Sequence, residues 1–347
     1  MIIRVTPLLT VDNLTTVFDL PTGLFRAVDE VSFDIHPGET VGLVGESGCG
    51  KSLTALSIMR LVRPPGRIAG GRVEFGGRDL LTLDQRAMRA VRGARIAMIF
   101  QEPAAALNPV FTVGDQIADA LRVHGRGGRR EAKARAIELL EEVHIAQPAA
   151  RANDYPHQLS GGMQQRVLIA MAIACQPALV IADEPTTALD VTVQARILDL
   201  LREMRSLYGL SLLLIAHDLA VVAQMADRVL VMYSGRIVER GPVQSVFGNP
   251  QHPYTRGLLS AERLEALSRL LPADRSVRSA KLSSVACVFH PRCPDRFEPC
   301  TVCAPPDLAV GSGHSARCHL LDPRWRGAPG LTREVDEGNR DHGPGPS

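Results

Sequence analysis

Apolar and polar positions alternate through residues 8–38, first in Leu8-Leu9-Thr10-Val11-Asp12-Asn13-Leu14 and again in Ala27-Val28-Asp29-Glu30-Val31-Ser32-Phe33-Asp34-Ile35. A period of two predicts strands, with turns at Pro21-Thr22-Gly23 and His36-Pro37-Gly38. The pattern then changes. Val41-Gly42-Leu43-Val44, Ile96-Ala97-Met98-Ile99-Phe100, Ala178-Leu179-Val180-Ile181-Ala182 and Ser211-Leu212-Leu213-Leu214-Ile215-Ala216 are short and almost wholly apolar, as buried core strands are. Helix-like stretches fall between them: residues 53–61, stopped by Arg63-Pro64-Pro65-Gly66, then 167–174 and 191–207. From about 112 to 146, Val113, Ile117 and Leu121, then Ile137, Leu140 and Val143, recur at helical spacing around a basic run at 125–130 read as a solvated loop. Gly70–Gly77 predicts a further strand, and residues 229–232 and 235–241 a closing hairpin. Strands alternating with helices predict an α/β core, here with an antiparallel β layer ahead of it and a mostly helical insertion at about 103–175.

Between the strand ending at Val44 and the helix at 53–61 lies Gly45-Glu46-Ser47-Gly48-Cys49-Gly50-Lys51-Ser52, which fits the phosphate-loop pattern G-x-x-x-x-G-K-[S/T] at every fixed position. Strand, loop and helix stand in the order the motif requires. The glycines let backbone N–H groups turn inward around phosphate oxygens, and the helix N-terminus adds the positive end of its dipole. Lys51 is placed to reach the β- and γ-phosphates, and Ser52 to put its hydroxyl on Mg²⁺.

Three further strand and helix ends carry candidate chemistry. Ser160-Gly161-Gly162 opens a helix, offering a hydroxyl, two backbone amides and a helix N-terminus to an anion. The strand through Ile181 ends in Asp183-Glu184. Asp183 suits Mg²⁺, which favours hard oxygen ligands, and Glu184 is placed to polarise a water against a γ-phosphate. Gln101 and His217 end two more core strands, where ligands bind in open α/β sheets. Asp190 fits a helix N-cap. Phe18 and Phe25 are the candidates for stacking on a nucleotide base.

The bulk numbers narrow the setting. The 347 residues carry a net charge of +2, so nothing points to bulk electrostatic binding of nucleic acid. No long uncharged apolar run predicts a membrane span, and the start lacks a signal peptide's layout, so a cytosolic product is expected. Five of the seven cysteines fall between Cys287 and Cys318, spaced C-x5-C-x6-C-x2-C-x14-C. Thiols at this density suit zinc or an iron–sulfur cluster, with free thiols in a loosely folded tail as the alternative. Only Cys300 and Cys303 form the C-x2-C unit of a zinc ribbon. Residues 262–285 are polar and basic with one short helix expected, and 323–347 are expected to be disordered.

Taken together, the phosphate loop, Gln101, Leu159-Ser160-Gly161-Gly162, Val180-Ile181-Ala182-Asp183-Glu184, Ala188-Leu189-Asp190 and His217 resemble, in order and approximate spacing, the ATP-binding subunit of an ABC transporter. The resemblance covers about residues 8–245. Phe100-Gln101-Glu102-Pro103, Leu107-Asn108-Pro109, Met163-Gln164-Gln165-Arg166-Val167, the run from Ile181 to Ala195 and His252-Pro253-Tyr254-Thr255 are similar to the dipeptide/oligopeptide importer branch, to which nickel importers also belong. Met163 and Thr186-Thr187 resemble its D-type subunit, which pairs with a different F-type. The resemblance implies an ATPase domain over 1–250, an importer-type extension over 251–322, and ATP hydrolysis coupled to peptide uptake. Its implied partners are a second ATPase subunit, two integral-membrane permeases and, indirectly, an extracytoplasmic binding protein, at the cytoplasmic face of the inner membrane. Residues Gly45 to Leu53, Gln101, Asp183, Glu184 and His217 would act on this chain's own ATP and Mg²⁺, with Ser52, Gln101 and Asp183 at the metal. Ser160, Gly161 and Gly162 would close the partner's site. Cys287-Val288-Phe289-His290-Pro291-Arg292-Cys293-Pro294 resembles the family's C-terminal cysteine motif. By that likeness Cys287, Cys293, Cys300 and Cys318 would ligate a [4Fe–4S] cluster and Cys303 would be extra. Ala286 departs from the glycine usual there. Two rival functions are a soluble non-transport ABC ATPase, which usually carries two cassettes or a long coiled-coil insertion, and a binding module without hydrolysis, against which Glu184 and His217 argue.

Overall fold

The computed structural model describes residues 6–21, 23–187, 189–260 and 286–325. Its spine is an eight-stranded sheet. In chain order it takes β3 (Thr40–Val44), β6 (Ile96–Ile99), β7 (Leu179–Asp183), β8 (Ser211–Ala216), β9 (Arg228–Tyr233), β10 (Arg236–Pro242), β11 (Leu308–Gly311) and β12 (His314–Ala316). The spatial order is β11-β12-β10-β9-β3-β8-β7-β6. Strands β6, β7, β8, β3 and β9 are parallel, and β10, β12 and β11 continue the sheet antiparallel.

The apolar runs of the parallel strands reflect burial on both faces. Successive residues go to opposite sides: Val180, Ala182, Leu212, Leu214, Val229 and Val231 join one core, while Leu179, Ile181, Leu213, Ile215, Leu230 and Met232 join the other. The second core is closed by a four-stranded antiparallel sheet ordered β2-β1-β4-β5, from β1 (Leu9–Leu20), β2 (Gly23–Ile35), β4 (Gly66–Phe75) and β5 (Arg78–Asp79), together with helix α1 (Lys51–Ile58). Shifts of register interrupt the long β1–β2 pairing between Val11 and Val17.

A short helix, α2 (Gln85–Val91), leads into β6. The insertion after β6 is helical as expected: α3 (Pro103–Ala106), α4 (Val113–Val123), α5 (Arg129–Glu142), α6 (Pro148–Arg151) and α7 (Gly161–Ile173). Ile117, Leu121, Leu140 and Val143 from the periodic pattern are all buried in the first core. Arg129 and Arg130 of the basic run open α5 rather than lie in a loop, because Glu131 three residues in accepts from the Gly128 N–H at 2.8 Å and closes the first turn. Helix α8 (Val191–Tyr208) is capped by Asp190, which accepts from the Val193 N–H at 2.9 Å, and α9 (Leu219–Met225) follows β8.

Beyond β10 come α10 (Val243–Gly248) and α11 (Pro253–Leu259), and after residue 286 a one-turn 3-10 helix His290–Arg292 and a short helix Glu298–Val302. The short helix expected at 262–285 lies outside the described residues. Residues 323–325, expected to be disordered, instead form a 3-10 turn beside the Asp322–Arg324 pair; residues 326–347 lie outside the described residues. Glu239 on β10 ties this part to the sheet. Its side chain is fully buried, accepts from the Gln251 and His252 N–H groups at 2.7 and 2.9 Å, and takes a 2.8 Å hydrogen bond from His314 Nε2 on β12.

His252 caps α11 with Nδ1, which accepts from the Tyr254 N–H at 3.1 Å. Burial, with Arg256 nearby, drops its pKa from the ordinary 6.5 to about 3. The fold therefore holds the neutral ring, and the associated stability is complete above pH 6.5 and is lost as pH falls from there towards 3. At pH 5 the loss is ~2 kcal/mol. Thermal unfolding followed between pH 7 and pH 5 is expected to show this drop, and His252→Asn, which keeps a capping acceptor, to reduce it. An unchanged pH slope in the variant would remove His252 as the cause.

Candidate active site

Strand β3 is held in register by β8 on one side and β9 on the other, so the loop that follows leaves the sheet at a fixed point. Gly45 (φ 154°) and Gly50 (φ 111°) are required by close approach as well as by φ. A Cβ on Gly45 would lie 2.2 Å from the Met232 carbonyl oxygen, and one on Gly50 2.4 Å from that of Ala27. Gly50 is the N-cap of α1, with no side chain to accept from the first amides of the helix, so those donors face the loop's concavity. Lys51 is 4% exposed and lies back along the loop, its Nζ donating to the carbonyls of Gly45 at 2.7 Å and Glu46 at 3.2 Å.

The candidate metal ligands meet at the end of β7. Ser52 Oγ donates to Asp183 Oδ1 at 2.9 Å. Burial raises the Asp183 pKa, and the Ser52 hydrogen bond opposes the rise. A buried carboxylate beside a hydroxyl is a hard-oxygen pair of the kind Mg²⁺ takes.

Glu184 is where three loops converge. Its backbone is left-handed (φ 47°), and its carboxylate Oε2 accepts from Gln101 Nε2 at 3.0 Å and from Thr187 Oγ1 at 2.8 Å, and pairs with His217 Nδ1 at 3.2 Å. Gln101 follows β6, His217 follows β8, and Thr187 lies in the turn after β7. The adjacent strand ends of a parallel sheet thus bring together residues separated by up to 116 positions along the chain, counting from Gln101 to His217.

Ser160, Gly161 and Gly162 stand elsewhere. Ser160 caps α7, accepting from the Met163 N–H at 3.4 Å, and Ser160 and Gly161 are exposed. Gly162 packs beside Val193 at the start of α8, where a Cβ would come within 2.8 Å of that side chain. None of the hydrogen bonds among the described residues links these three to the phosphate loop. Phe18 and Phe25 are cross-strand partners in β1 and β2. Phe18 packs against Gly66, whereas Phe25 is 42% exposed.

All seven cysteines are free. Cys287, Cys300 and Cys318 are buried and Cys293 half-buried. The Cys287 N–H donates to the Cys300 carbonyl at 3.0 Å. Burial pushes the Cys293 and Cys318 thiols up to about 12, with neighbouring thiols adding to the rise. Thiols are the right donors for iron or zinc. As placed, however, no group of three or more His, Cys, Asp or Glu among the described residues is set to hold a metal ion. The spacing therefore supplies the donors without a formed cage. Cys303 turns away towards His319, with Sγ 3.7 Å from Nε2.

Sequence reasoning missed the outer wall of the phosphate loop. The Glu46 N–H donates to Tyr254 Oη at 2.9 Å, and the Glu46 carboxylate is gripped by both Nη atoms of Arg292 at 2.7 and 3.0 Å. Gly235, in the β9–β10 turn, donates to the Cys49 carbonyl at 2.8 Å. Tyr254 and Arg292 both sit in motifs the sequence brings forward, but no local pattern reports a contact spanning 246 residues.

A phosphate loop facing two strand-end carboxylates could belong to several kinds of nucleotide hydrolase. The Ser-Gly-Gly helix start on a separate insertion narrows the class: the fold is that of an ABC cassette, and the protein is an ATPase. The comparisons agree. A sequence model of the ABC transporter family matches residues 28–187, and one of the oligopeptide/dipeptide transporter C-terminal region matches residues 238–300. A putative peptide import ATP-binding protein of Brucella melitensis is 48% identical over 332 residues, covering 90% of this chain and 96% of the relative. The dipeptide transport ATP-binding protein DppD of Escherichia coli is 46% identical over 328 residues, covering 92% and 98%. Among solved structures, a dimeric post-hydrolysis ATP-binding cassette bound to ADP and Pi superposes with a TM-score of 0.61 at 29% identity, covering 68% of this chain and 98% of that one. Cassette cbiO1 of Clostridium perfringens, part of the ABC transporter complex cbiONQ, gives 0.60 at 25% identity, covering 76% and 99%. The chain belongs to the ABC transporter family. No helix among the described residues is long and apolar enough to cross a membrane.

Proposed function

We propose that this ATPase drives uptake of di- or oligopeptides, working as the D-type subunit of an importer beside an F-type ATPase. Two integral-membrane permeases would hold it peripherally at the cytoplasmic face of the inner membrane, with an extracytoplasmic binding protein delivering substrate. The observation that carries this reading is near full-length similarity to relatives named for peptide import, including the C-terminal region at 238–300. Residues 1–250 serve as the ATPase domain and 251–322 as the extension.

The roles we assign to the residues are these. The loop from Gly45 to Leu53 cradles the phosphates with its inward-facing amides, the Glu46 amide being taken by Tyr254, and Lys51 leaves its carbonyl partners for the β- and γ-oxygens. Ser52 and Asp183 would hold Mg²⁺, joined by Gln101, and the ion would offset the charge of the phosphate oxygens. Glu184 orients and activates the attacking water while His217 steadies the γ-phosphate. Supporting this, Gln101 and His217 both reach the same Glu184 oxygen. The exposed Ser160 and Gly161, with Gly162 beside them, close a partner's ATP site. Phe25, the more open of the two aromatic candidates, stacks on adenine.

The finer reading of the extension is that Cys287, Cys293, Cys300 and Cys318 ligate a [4Fe–4S] cluster. The burial of Cys287, Cys300 and Cys318 away from water supports it, and the lack of a metal-holding group among the described residues weighs against it. A cluster would serve structure or regulation, since phosphoryl transfer needs no redox centre.

Reconstituted with its partner subunits, the wild-type protein is expected to accumulate labelled dipeptide in an ATP-dependent way; hydrolysis that no peptide or binding protein stimulates would defeat the transport assignment. Glu184→Gln should lower kcat by at least about 100-fold while leaving Mg-ATP binding intact. A rate within threefold of wild type would mean that another group activates the water. Phe25→Ala should raise the KM for ATP several-fold and leave kcat alone, and Phe18→Ala showing that effect instead would exchange their roles. Anaerobic purification should yield a visible absorbance band and about four irons per chain, both lost in Cys287→Ser. Iron-free protein with four reactive thiols would exclude the cluster.

A further inference from the structure

The hydrogen-bonding groups of Glu46 are taken up from two sides. Its carbonyl accepts from Lys51 inside the loop, at 3.2 Å. Its amide and carboxylate are held from outside by the extension, through Tyr254 Oη at 2.9 Å and the two Nη atoms of Arg292. Tyr254 is buried, and its ring meets those of Tyr233 and Phe289 at centroid separations of 4.8 and 5.6 Å. The Arg292 guanidinium lies over the Tyr233 ring, 5.7 Å from its centroid. The two grips on Glu46 thus rest on one packed aromatic group rather than on mobile side chains. A two-pronged arginine–carboxylate pair fixes direction as well as distance, which a lysine cannot do.

The catalytic chemistry has no use for this contact. Glu46 is the second residue of the phosphate loop, and its side chain turns towards the extension. A phosphate loop binds by backbone amides, so its affinity depends on how nearly those amides stand in their bound arrangement before the nucleotide arrives. We propose that Arg292 and Tyr254 are positioning residues for ATP: through Glu46 they preorganise the loop, so that the C-terminal extension sets nucleotide affinity. The proposal rests on the ATPase reading and assigns the extension a part in it. The same 3-10 turn carries the thiol segment, because His290 Nδ1 donates to the Cys287 carbonyl at 2.7 Å and Cys293 follows Arg292 directly. Whatever reshapes that segment therefore reaches the loop through one side chain.

The full-length protein is the material for the test, with Mg²⁺ and the non-hydrolysed analogue AMP-PNP as the probe. Arg292→Gln should weaken AMP-PNP binding by about 5- to 10-fold, the size expected of a half-exposed charged pair with good geometry. The KM for ATP should rise equally and kcat should stay within twofold. Glu46→Gln should match it, and the double variant should be no worse than either single, because both remove one contact. Arg292→Lys should recover part of the loss. Should Arg292→Gln fail to fold, judged by its unfolding transition, Tyr254→Phe carries the test: deleting one hydroxyl should shift KM in the same direction without moving kcat. Wild-type affinity in Arg292→Gln, additive losses in the double variant, or a fall in kcat at constant KM would each overturn the positioning role. A wild-type protein that bound no AMP-PNP would instead undo the ATPase reading beneath it.

Discussion

A loop that offers its amides to an anion must have its remaining polar groups satisfied by something else, and in this protein the demand is met from distant parts of the chain. The Cys49 carbonyl takes its donor from Gly235 and the Glu46 amide finds Tyr254. Lys51 adds the second half of the constraint. Its ammonium is almost fully buried with only carbonyl dipoles as hydrogen-bond partners. A buried charge so placed is costly, and an arriving polyphosphate offers it full negative charge in exchange. The strand-end carboxylate of Asp183, held by Ser52, would be equally ill at ease beside that polyphosphate without a divalent cation between them.

The same economy shapes the catalytic side. Glu184 sits in the left-handed region, where a non-glycine residue is strained unless its surroundings hold it. Gln101, Thr187 and His217 supply that hold, one from each of three loops. Gln101 also leads into the helical insertion, so the segment entering α3 carries one of the hydrogen bonds to the carboxylate.

What the sequence announced and what it hid divide along physical lines. The parallel strands were legible because both faces are buried, so residues such as Leu212 to Ile215 are apolar whichever core they enter. The phosphate loop was legible because its spacing is dictated by the ligand. Helix α1 starts at Lys51, two residues before its apolar pattern, because its first residues face the phosphate loop, and its glycine cap carries no side-chain signal of the start. The register shifts in β1, the start of α5 at Arg129 and the order of Pro323–Trp325 depend on local hydrogen bonds that hydrophobic period does not encode. The cysteine spacing named candidate donors, but as placed no group of three or more among the described residues is set to hold a metal ion, because ligand geometry lies in side-chain directions that spacing cannot fix.

The extension shows the limit most clearly. Composition suggests a separate appendix after residue 250, yet β12 pairs with β10 at Glu239 and Arg240, so residues 314–316 complete the ATPase domain's own sheet. Arg240 reinforces the seam by donating to Ser315 and pairing with Asp307. Glu239 makes the dependence mutual: without His314 and the Gln251 and His252 amides its buried carboxylate would lose every partner described for it, which is the expensive way to break a buried polar network. A shared sheet, a shared buried carboxylate and a grip on the phosphate loop thus tie residues 286–325 to the rest of the chain. Under the positioning role proposed for Arg292, its pair with Glu46 is where that tie meets the nucleotide site.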